Sequence, residues 1–482
     1  MGEAVWERRR VLTGLGALAL GAAGCAGATH TPAPPPSVPP VRRPNFVVVL
    51  ADDLGYGELG GYGQTKIATP HLDRLAAEGL RFTDAYASAP VCAPARASLF
   101  TGLHTGHSPV RRNPPRTGDL ALGRLPTIAT LLRDLGYRTG LFGKWGFSQN
   151  APGPDHPNEH GFSEFFGYLT HRAAHDYYPE RLWHNKDEIH YPGNTGREGV
   201  EYGPELVMRH AEAFLDVRSD EPFLMFVTPN LPHAPAVAPD LGHYAVTDWT
   251  DPAKAHAAQV TLLDSYVGRL LDRLRASALD RETVVIFSSD NGPHEEGGVD
   301  PDFFKAAGPF RGYKRNLYEG GIRVPLIIWS PHLLAGSAGR STARPAVHYD
   351  MLPTLVDLAG GVRPDGLDGV SLRGLLTAHG DVPEDRPLFW FRTHFGTTPS
   401  QVAEDRGRGD RTAAATRQGR WKAVGFGPGR EYRPPGPDWR FELYDLATDP
   451  AETTDLAAYY PEILNRLTAS VHAAWTDPAV AV

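Results

Sequence analysis

Asn45-Phe46-Val47-Val48-Val49-Leu50-Ala51 is followed at once by Asp52-Asp53. A continuous apolar, β-branched run of this kind reads as a strand covered on both faces, the environment of a parallel sheet. The stretches 137–142, 223–227, 283–288 and 324–329 read the same way, and amphipathic helical stretches such as 126–135 and 256–274 lie between them. The alternation predicts an α/β fold: a large, mostly parallel sheet flanked by helices. In such sheets binding groups collect on loops at the carboxyl ends of strands. Asp52, Asp53, Lys144, His233, Asp290 and Asn291 all fall there, and they are expected to converge. After Leu376 the texture turns to Gly, Arg and Pro-rich loops with strand-like runs at 387–391, 421–424 and 440–444 and a helix near 461–475. This predicts a large domain over 45–376 and a smaller α+β domain over 377–482, with a small antiparallel sheet and a terminal helix.

Composition narrows the class. Over 482 residues, 41% hydrophobic and 22% charged are ordinary globular values, which exclude a disordered, collagenous or polytopic membrane chain. A net charge of -8 with no long basic run excludes a protein that holds nucleic acid by its phosphates, so an anionic substrate must be attracted by local charge. Two cysteines, Cys25 and Cys92, make neither a disulfide framework nor a paired metal motif.

The chain opens with Arg8-Arg9-Arg10 before an apolar stretch, 11–23, that is short for a membrane span and reads as an export signal over 1–28, of the twin-arginine kind. Ala22-Ala23-Gly24-Cys25 resembles a bacterial lipobox and implies a lipid anchor on Cys25; cleavage after Ala26-Gly27-Ala28 is the alternative and would release a soluble protein. Residues 29–44, rich in proline, read as an extended spacer. The expected location is therefore outside the bacterial cytoplasmic membrane, as a surface or periplasmic lipoprotein or a secreted protein.

Cys92-Ala93-Pro94-Ala95-Arg96 leads into Ala97-Ser98-Leu99-Phe100-Thr101-Gly102. Alone, a cysteine in such a setting is as well read as a small core residue, a carboxylate pair as a cap or turn, and a lone Lys or His as solvated surface. Their joint occurrence carries the argument. Ala51-Asp52-Asp53-Leu54-Gly55-Tyr56-Gly57, Gly143-Lys144-Trp145, Asn230-Leu231-Pro232-His233-Ala234-Pro235, Ser289-Asp290-Asn291-Gly292 and the block from Arg311 through Lys314 to Pro325 all follow in order. Together with C-x-P-x-R, they resemble the type I sulfatases, and in particular bacterial arylsulfatase A-like carbohydrate sulfatases of the alkaline phosphatase superfamily. The resemblance runs from Asn45 to about Leu376, and weakly beyond through 419–422 and 442–445.

That resemblance implies a metal site of Asp52, Asp53, Asp290, Asn291 and residue 92. Hard oxygen ligands suit Ca²⁺, or less well Mg²⁺, and the lack of clustered Cys and His argues against zinc. It also implies that a formylglycine-generating enzyme oxidises Cys92 to Cα-formylglycine, whose hydrate attacks sulfur. The alcohol then leaves with a proton from His233 or Lys314, and the sulfate ester on residue 92 collapses when its spare hydroxyl is deprotonated. Arg96 would hold the diol and metal region, and Lys144 and Lys314 the sulfate oxygens. One departure stands out: Gly146 occupies a position where many members of the family have a histidine thought to assist that collapse, and His171, His175 and His294 are the imidazoles available to replace it.

The stretch 165–185 is dense in aromatic and polar side chains, which stack on sugar rings and read hydroxyls. With 290–298 it points to a sulfated sugar as substrate, with His171, Arg172, His175 and His294 as binding residues; ordinary packing explains the tyrosines equally well. Two other readings compete. A phosphonate monoester or phosphodiester hydrolase of the same superfamily would be told apart by relative rates on sulfate and phosphate esters. A surface-anchored glycan-binding protein with a decayed site would bind sugars without releasing sulfate.

Overall fold

The computed structural model describes residues 43–114, 121–148, 151–334, 336–393, 398–429 and 434–476. The leader over 1–28, Cys25 and the spacer up to residue 42 lie outside the described residues. Among the described residues no helix is long and apolar enough to cross a membrane.

The strands are β1 (Asn45–Ala51), β2 (Leu80–Phe82), β3 (Ala85–Tyr86), β4 (Arg138–Gly146), β5 (Glu164–Thr170), β6 (Arg181–His184), β7 (Asp187–His190) and β8 (Phe223–Thr228). They continue with β9 (Thr283–Ser289), β10 (Leu326–Trp329), β11 (Arg340–Thr342) and β12 (Ala346–Val347). Ten of them form one sheet in the order β11-β2-β10-β9-β1-β8-β4-β5-β6-β7, and β3 pairs with β12 in a small ribbon. The run that opens the fold takes the central place. β1 lies parallel to both β8 and β9, with Val47 opposite Met225 and Val285. Every residue of β1 is buried, and alternate side chains feed different cores: Val47, Val49 and Ala51 pack on one face, Phe46, Val48 and Leu50 on the other. Burial on both faces is the physical reason the run shows no polar alternation, each such side chain contributing about 1.5–3 kcal/mol.

The parallel block is β9-β1-β8-β4-β5. The stretch 324–329 departs from expectation, because β10 runs antiparallel to β9 and β2. It is as buried as its neighbours, and burial rather than direction is what an apolar run reports. The β6–β7 hairpin closes the other edge antiparallel, so the sheet is mixed around a parallel centre. The expected helices are Ile128–Asp134 and Asp251–Ala276, started by Thr127 and Thr250, whose side chains accept from the backbone N–H of Thr130 and Ala253.

A second sheet joins β13 (Leu388–Arg392), β14 (Ala413–Gln418), β15 (Trp421–Phe426) and β16 (Arg440–Asp445), all antiparallel. The helix Pro461–Ala473 follows it in the chain and buries Leu467 and Val471. β14 went unpredicted: Ala413-Ala414-Ala415-Thr416-Arg417-Gln418 carries few strand-forming side chains, and its central position, where small residues sit between packed neighbours, makes it a strand. Tyr86, Tyr318 and Tyr349 share a core with Trp390, Ala415 and Tyr444, so the second sheet packs against the β3–β12 ribbon and the segments around Tyr318 and Tyr349.

Candidate active site

The carboxyl ends of β1 and β9 are locked to each other. Asp290 N–H donates to Ala51 O (3.1 Å), Asp53 N–H to Asp290 Oδ1 (3.1 Å) and Leu54 N–H to Ser289 Oγ (2.9 Å). Asp53 takes left-handed backbone, φ 67°, which an aspartate tolerates better than most residues. The three carboxylates of Asp52, Asp53 and Asp290 are thereby crowded together, each fully buried.

Cys92 is the first residue of the helix Cys92–Thr101, all of whose residues are buried. Its Sγ lies 3.3 Å from Asp52 Oδ1 and 3.8 Å from Asp53 Oδ1. Arg96 stands one turn further on the same face, the reason for the four-residue spacing. It reaches Asp290 Oδ2 through Nε (2.9 Å) and Nη2 (2.8 Å), and Lys144 O through Nη1 (2.8 Å). Lys144, near the end of β4, donates to Asp52 Oδ2 (2.7 Å). Lys314 donates to Asp53 Oδ2 (2.6 Å), and Asn291 Nδ2 to Asp53 Oδ1 (2.7 Å). The predicted metal and catalytic residues converge in one buried cluster.

Its electrostatics are those of a site short of positive charge at one point. Burial would raise both Asp52 and Asp53, but Lys144 holds Asp52 well below the usual carboxylate range and Lys314 draws Asp53 down to about 2. Asp290 goes the other way, to about 6, through burial and the nearby charge of Asp52, in spite of Arg96. The Sγ of Cys92, the carboxylates of Asp52 and Asp53 and a ring nitrogen of His233 lie within 4.8 Å of one another. Asn291 Oδ1 is buried with no hydrogen-bond partner among the described residues. An orphan amide oxygen beside three crowded carboxylates fits a hard divalent cation.

His233 Nδ1 donates to Ala234 O (2.6 Å), which leaves Nε2 as an acceptor facing Lys314 Nζ (3.2 Å) and 3.3 Å from Asp53 Oδ2. Burial, reinforced by Lys314, pushes its pKa down to about 3. His175 and His171 lie beside it, with ring centroids 4.5 and 6.2 Å away, and His294 at 6.0 Å. His171 also reaches Asn113 Nδ2 (3.5 Å), whose Oδ1 accepts from Ala93 N–H (3.0 Å) at the start of the cysteine helix. Arg172 is exposed and makes no hydrogen bond or ion pair to the cluster among the described residues. At Gly146, φ 98°, a Cβ would meet no heavy atom within 4 Å beyond its chain neighbours, so none of the candidate imidazoles packs against that position.

Residues without a motif of their own complete the surroundings. Glu296 pairs with Lys314 Nζ (3.0 Å) and with Arg315; its place in the 290–298 stretch, six residues after Asp290, is the one signal that could have found it. Glu58 meets His256 at 2.5 Å behind His294. A separate cluster of His104, His107 and Asp368 also gathers metal-type side chains. There Gly106 N–H donates to His104 Nδ1 (3.1 Å), so the His104 proton sits on Nε2 and points to Asp368, 3.5 Å away. His107 Nδ1 lies 2.8 Å from the same carboxylate, so both imidazoles are turned to Asp368.

Residues 44–362 match the family model described as Sulfatase. Arylsulfatase A of Homo sapiens is 32% identical over 476 residues, covering 88% of this chain and 86% of that protein. N-acetylgalactosamine-6-sulfatase of Canis lupus familiaris is 31% identical over 420 residues, covering 80% and 72%. The crystal structure of Ps i-CgsB in complex with k-i-k-neocarrahexaose superposes with a TM-score of 0.76 at 26% identity, covering 90% and 93%.

Proposed function

The chain belongs to the sulfatase family and is a sulfuric ester hydrolase, and we propose that it removes sulfate from carbohydrate monoesters, using Cys92 oxidised to formylglycine as nucleophile and a bound Ca²⁺. The observation that carries this reading is the position of Cys92 Sγ, 3.3 Å from Asp52 Oδ1 and against the carboxylate cluster. Burial and the negative charge of Asp290 push the Cys92 thiol well above its ordinary pKa, so the unmodified side chain would be a poor nucleophile. A hydrated aldehyde there supplies one hydroxyl to attack and a second whose deprotonation expels sulfate.

Asp52, Asp53, Asp290 and Asn291 would hold the cation, with residue 92 at its edge. When bound, the ion would supply charge neutralisation and a lowered pKa for the attacking hydroxyl. Lys144 and Lys314 then have N–H groups to turn toward sulfate oxygens, since the carboxylates they now serve are engaged elsewhere. Arg96, buried against Asp290 and the Lys144 carbonyl, keeps residue 92 and the carboxylates in register. The proton nearest the leaving oxygen sits on Lys314 Nζ, which Asp53 and Glu296 hold protonated against the cost of burial. His233 accepts from it through Nε2, so the pair acts together at the leaving group.

A carbohydrate substrate is supported by the histidines around His233 and by the k-i-k-neocarrahexaose held in the Ps i-CgsB complex. His171, His175 and His294 are assigned to the sugar, and Arg172 to its outer edge. Residues 45–376 are taken as the catalytic domain and 377–482 as a smaller domain; the leader over 1–28 would export the enzyme, with Cys25 as the lipid-anchor site. Mass spectrometry of the tryptic peptide ending at Arg96, from protein made with a formylglycine-generating enzyme, is expected to find the aldehyde or its hydrate, together with sulfate release from sulfated sugars. A thiol at residue 92 in protein that still releases sulfate at full rate would overturn the mechanism.

A further inference from the structure

Glu296 enters the reaction above only by helping to hold Lys314 protonated, and its contacts reach further. It lies in the turn Glu296–Gly298, where Gly297 (φ 71°) and Gly298 (φ 84°) take left-handed backbone that a side chain would strain. Its N–H donates to His294 Nδ1 (3.0 Å), its Oε2 accepts from Lys314 Nζ (3.0 Å), and its Oε1 accepts from Arg315 Nη2. Lys314 and Arg315 are 3% and 10% exposed, whereas Glu296 is 28% exposed. Arg315 is held in place by the backbone: its φ is 82°, its N–H donates to Pro90 O (2.8 Å) and its carbonyl accepts from Arg392 (2.6 Å). The Arg315 Nε is buried without a hydrogen-bond partner among the described residues.

A site that must attract sulfate thus presents a carboxylate to solvent on the side of Lys314 and His233. We propose that Glu296 is a specificity-determining residue that screens Lys314 and Arg315, so that a leaving alcohol is accepted when its neighbouring substituent is a hydroxyl or ammonium and refused when that substituent is a second sulfate or a carboxylate. This rests on the reading that Lys314 and His233 face the leaving oxygen. A hydroxyl or ammonium donates to the carboxylate, whereas an anion is repelled by it in a partly buried setting where water screens poorly. Removing the carboxylate leaves Arg315 without its ion-pair partner and with an unused N–H, and leaves Lys314 with Asp53 alone, which together make a receptor for the anion that was excluded.

The test is a ratio measured within each variant, which cancels any general loss from a disturbed Lys314. The full chain carrying oxidised residue 92 is assayed on 4-nitrocatechol monosulfate against its disulfate, and on a monosulfated hexosamine against the same sugar bearing a second, adjacent sulfate. The wild type is expected to prefer the monosulfate by about tenfold or more, and Glu296→Gln to lower that preference about tenfold, mainly through KM of the disulfated compound. An unchanged ratio in Glu296→Gln overturns the proposal and reduces Glu296 to a brace for Lys314. Calorimetric binding of the same pairs to Cys92→Ala, with and without Glu296→Gln, gives the ratio independently of turnover, so a variant too slow to assay still decides. Hydrolysis of the aryl sulfates but of no sugar would sink the carbohydrate reading, and the aryl ratio would still decide the role of Glu296.

Discussion

Two buried charge clusters, alike in composition, do different work in this molecule. One is the site: Asp52, Asp53 and Asp290 with Arg96, Lys144 and Lys314. The other ties the second sheet to the β3–β12 ribbon. There Lys422 of β15 lies 2.9 Å from both Glu319 and Glu452, Tyr86 donates to Glu319 Oε2 (2.7 Å), Arg323 reaches the same oxygen (3.0 Å), and Glu319 N–H donates to Glu452 (2.6 Å). Asp84 receives Arg323 and Arg417. In the sheet-joining cluster both oxygens of Glu319 are taken by donors of the protein itself, and Glu452 Oε1, though it makes no hydrogen bond among the described residues, lies 2.9 Å from Lys422 Nζ, so the cluster is filled by its own charges and its removal costs stability. In the site, Asn291 Oδ1 has neither a hydrogen-bond partner nor a cation against it among the described residues, which leaves an acceptor open for a ligand. Equal numbers of charges therefore say little about role; unfilled acceptors say more.

Substitutions at matched positions put that contrast at risk. Cys92→Ala should abolish sulfate release, about a thousandfold or more, while melting close to the wild type, because a small buried side chain is exchanged for a smaller one. A melting temperature that collapses with the activity would make residue 92 structural. Chelation by EDTA, followed by Ca²⁺ or Mg²⁺, should remove activity and restore it better with Ca²⁺, with a lowered melting temperature in between; indifference to EDTA in both readouts would refute the cation. Lys144→Met should lower the kcat/KM of the folded fraction by about a hundredfold, and because it leaves Asp52 buried without this partner it should also cost stability. Lys422→Met, its counterpart in the closed cluster, should cost about 3–5 kcal/mol of stability by chemical denaturation, and the folded fraction should keep its kcat. The reverse pattern would exchange the roles assigned to the two clusters.

The smallest effect concerns Glu452. Burial and the charge of Glu319 raise its pKa to about 7 in spite of Lys422, from an unfolded value near 4.5. Because the folded value is the higher one, the fold favours the protonated form. The wild type should lose stability as pH rises through the window between those two values, and change little from this group on either side of it. Glu452→Gln does not titrate, so its stability relative to the wild type should improve by roughly 2 kcal/mol between pH 5 and 8, read from urea midpoints at each pH. A difference that shrinks as pH rises would show Glu452 to be a fully ionised partner of Lys422.

Much of the fold and the site is legible in the chain because local chemistry repeats what the tertiary structure needs. Phe46 to Ala51 are apolar throughout because both faces are covered, and Asp52 and Asp53 follow because ligands bind at strand ends. Cys92 and Arg96 sit four apart because a helix puts them on one face. Other features have no local signature. Arg311, Glu319 and Arg323 flank Lys314 in one block, which reads from sequence as part of the catalytic set. Yet Glu319 and Arg323 belong to the sheet-joining cluster, and Arg311 donates to Glu404 and to the Glu452 carbonyl. Ala413–Gln418 forms a strand only through its neighbours, and β10 could have run either way.

Residue types at short spacing were enough to reveal the family, the buried central strand, the acidic ends of β1 and β9, and the cysteine that meets them. Folding in three dimensions settled which carboxylate each cation serves, that β10 runs antiparallel, that Arg172 stands outside the cluster, and that Glu296 bridges Lys314 and Arg315. Most of those are pairings across tens to hundreds of residues, and a linear pattern carries no information on partners brought together only when the sheet closes its loops over one another.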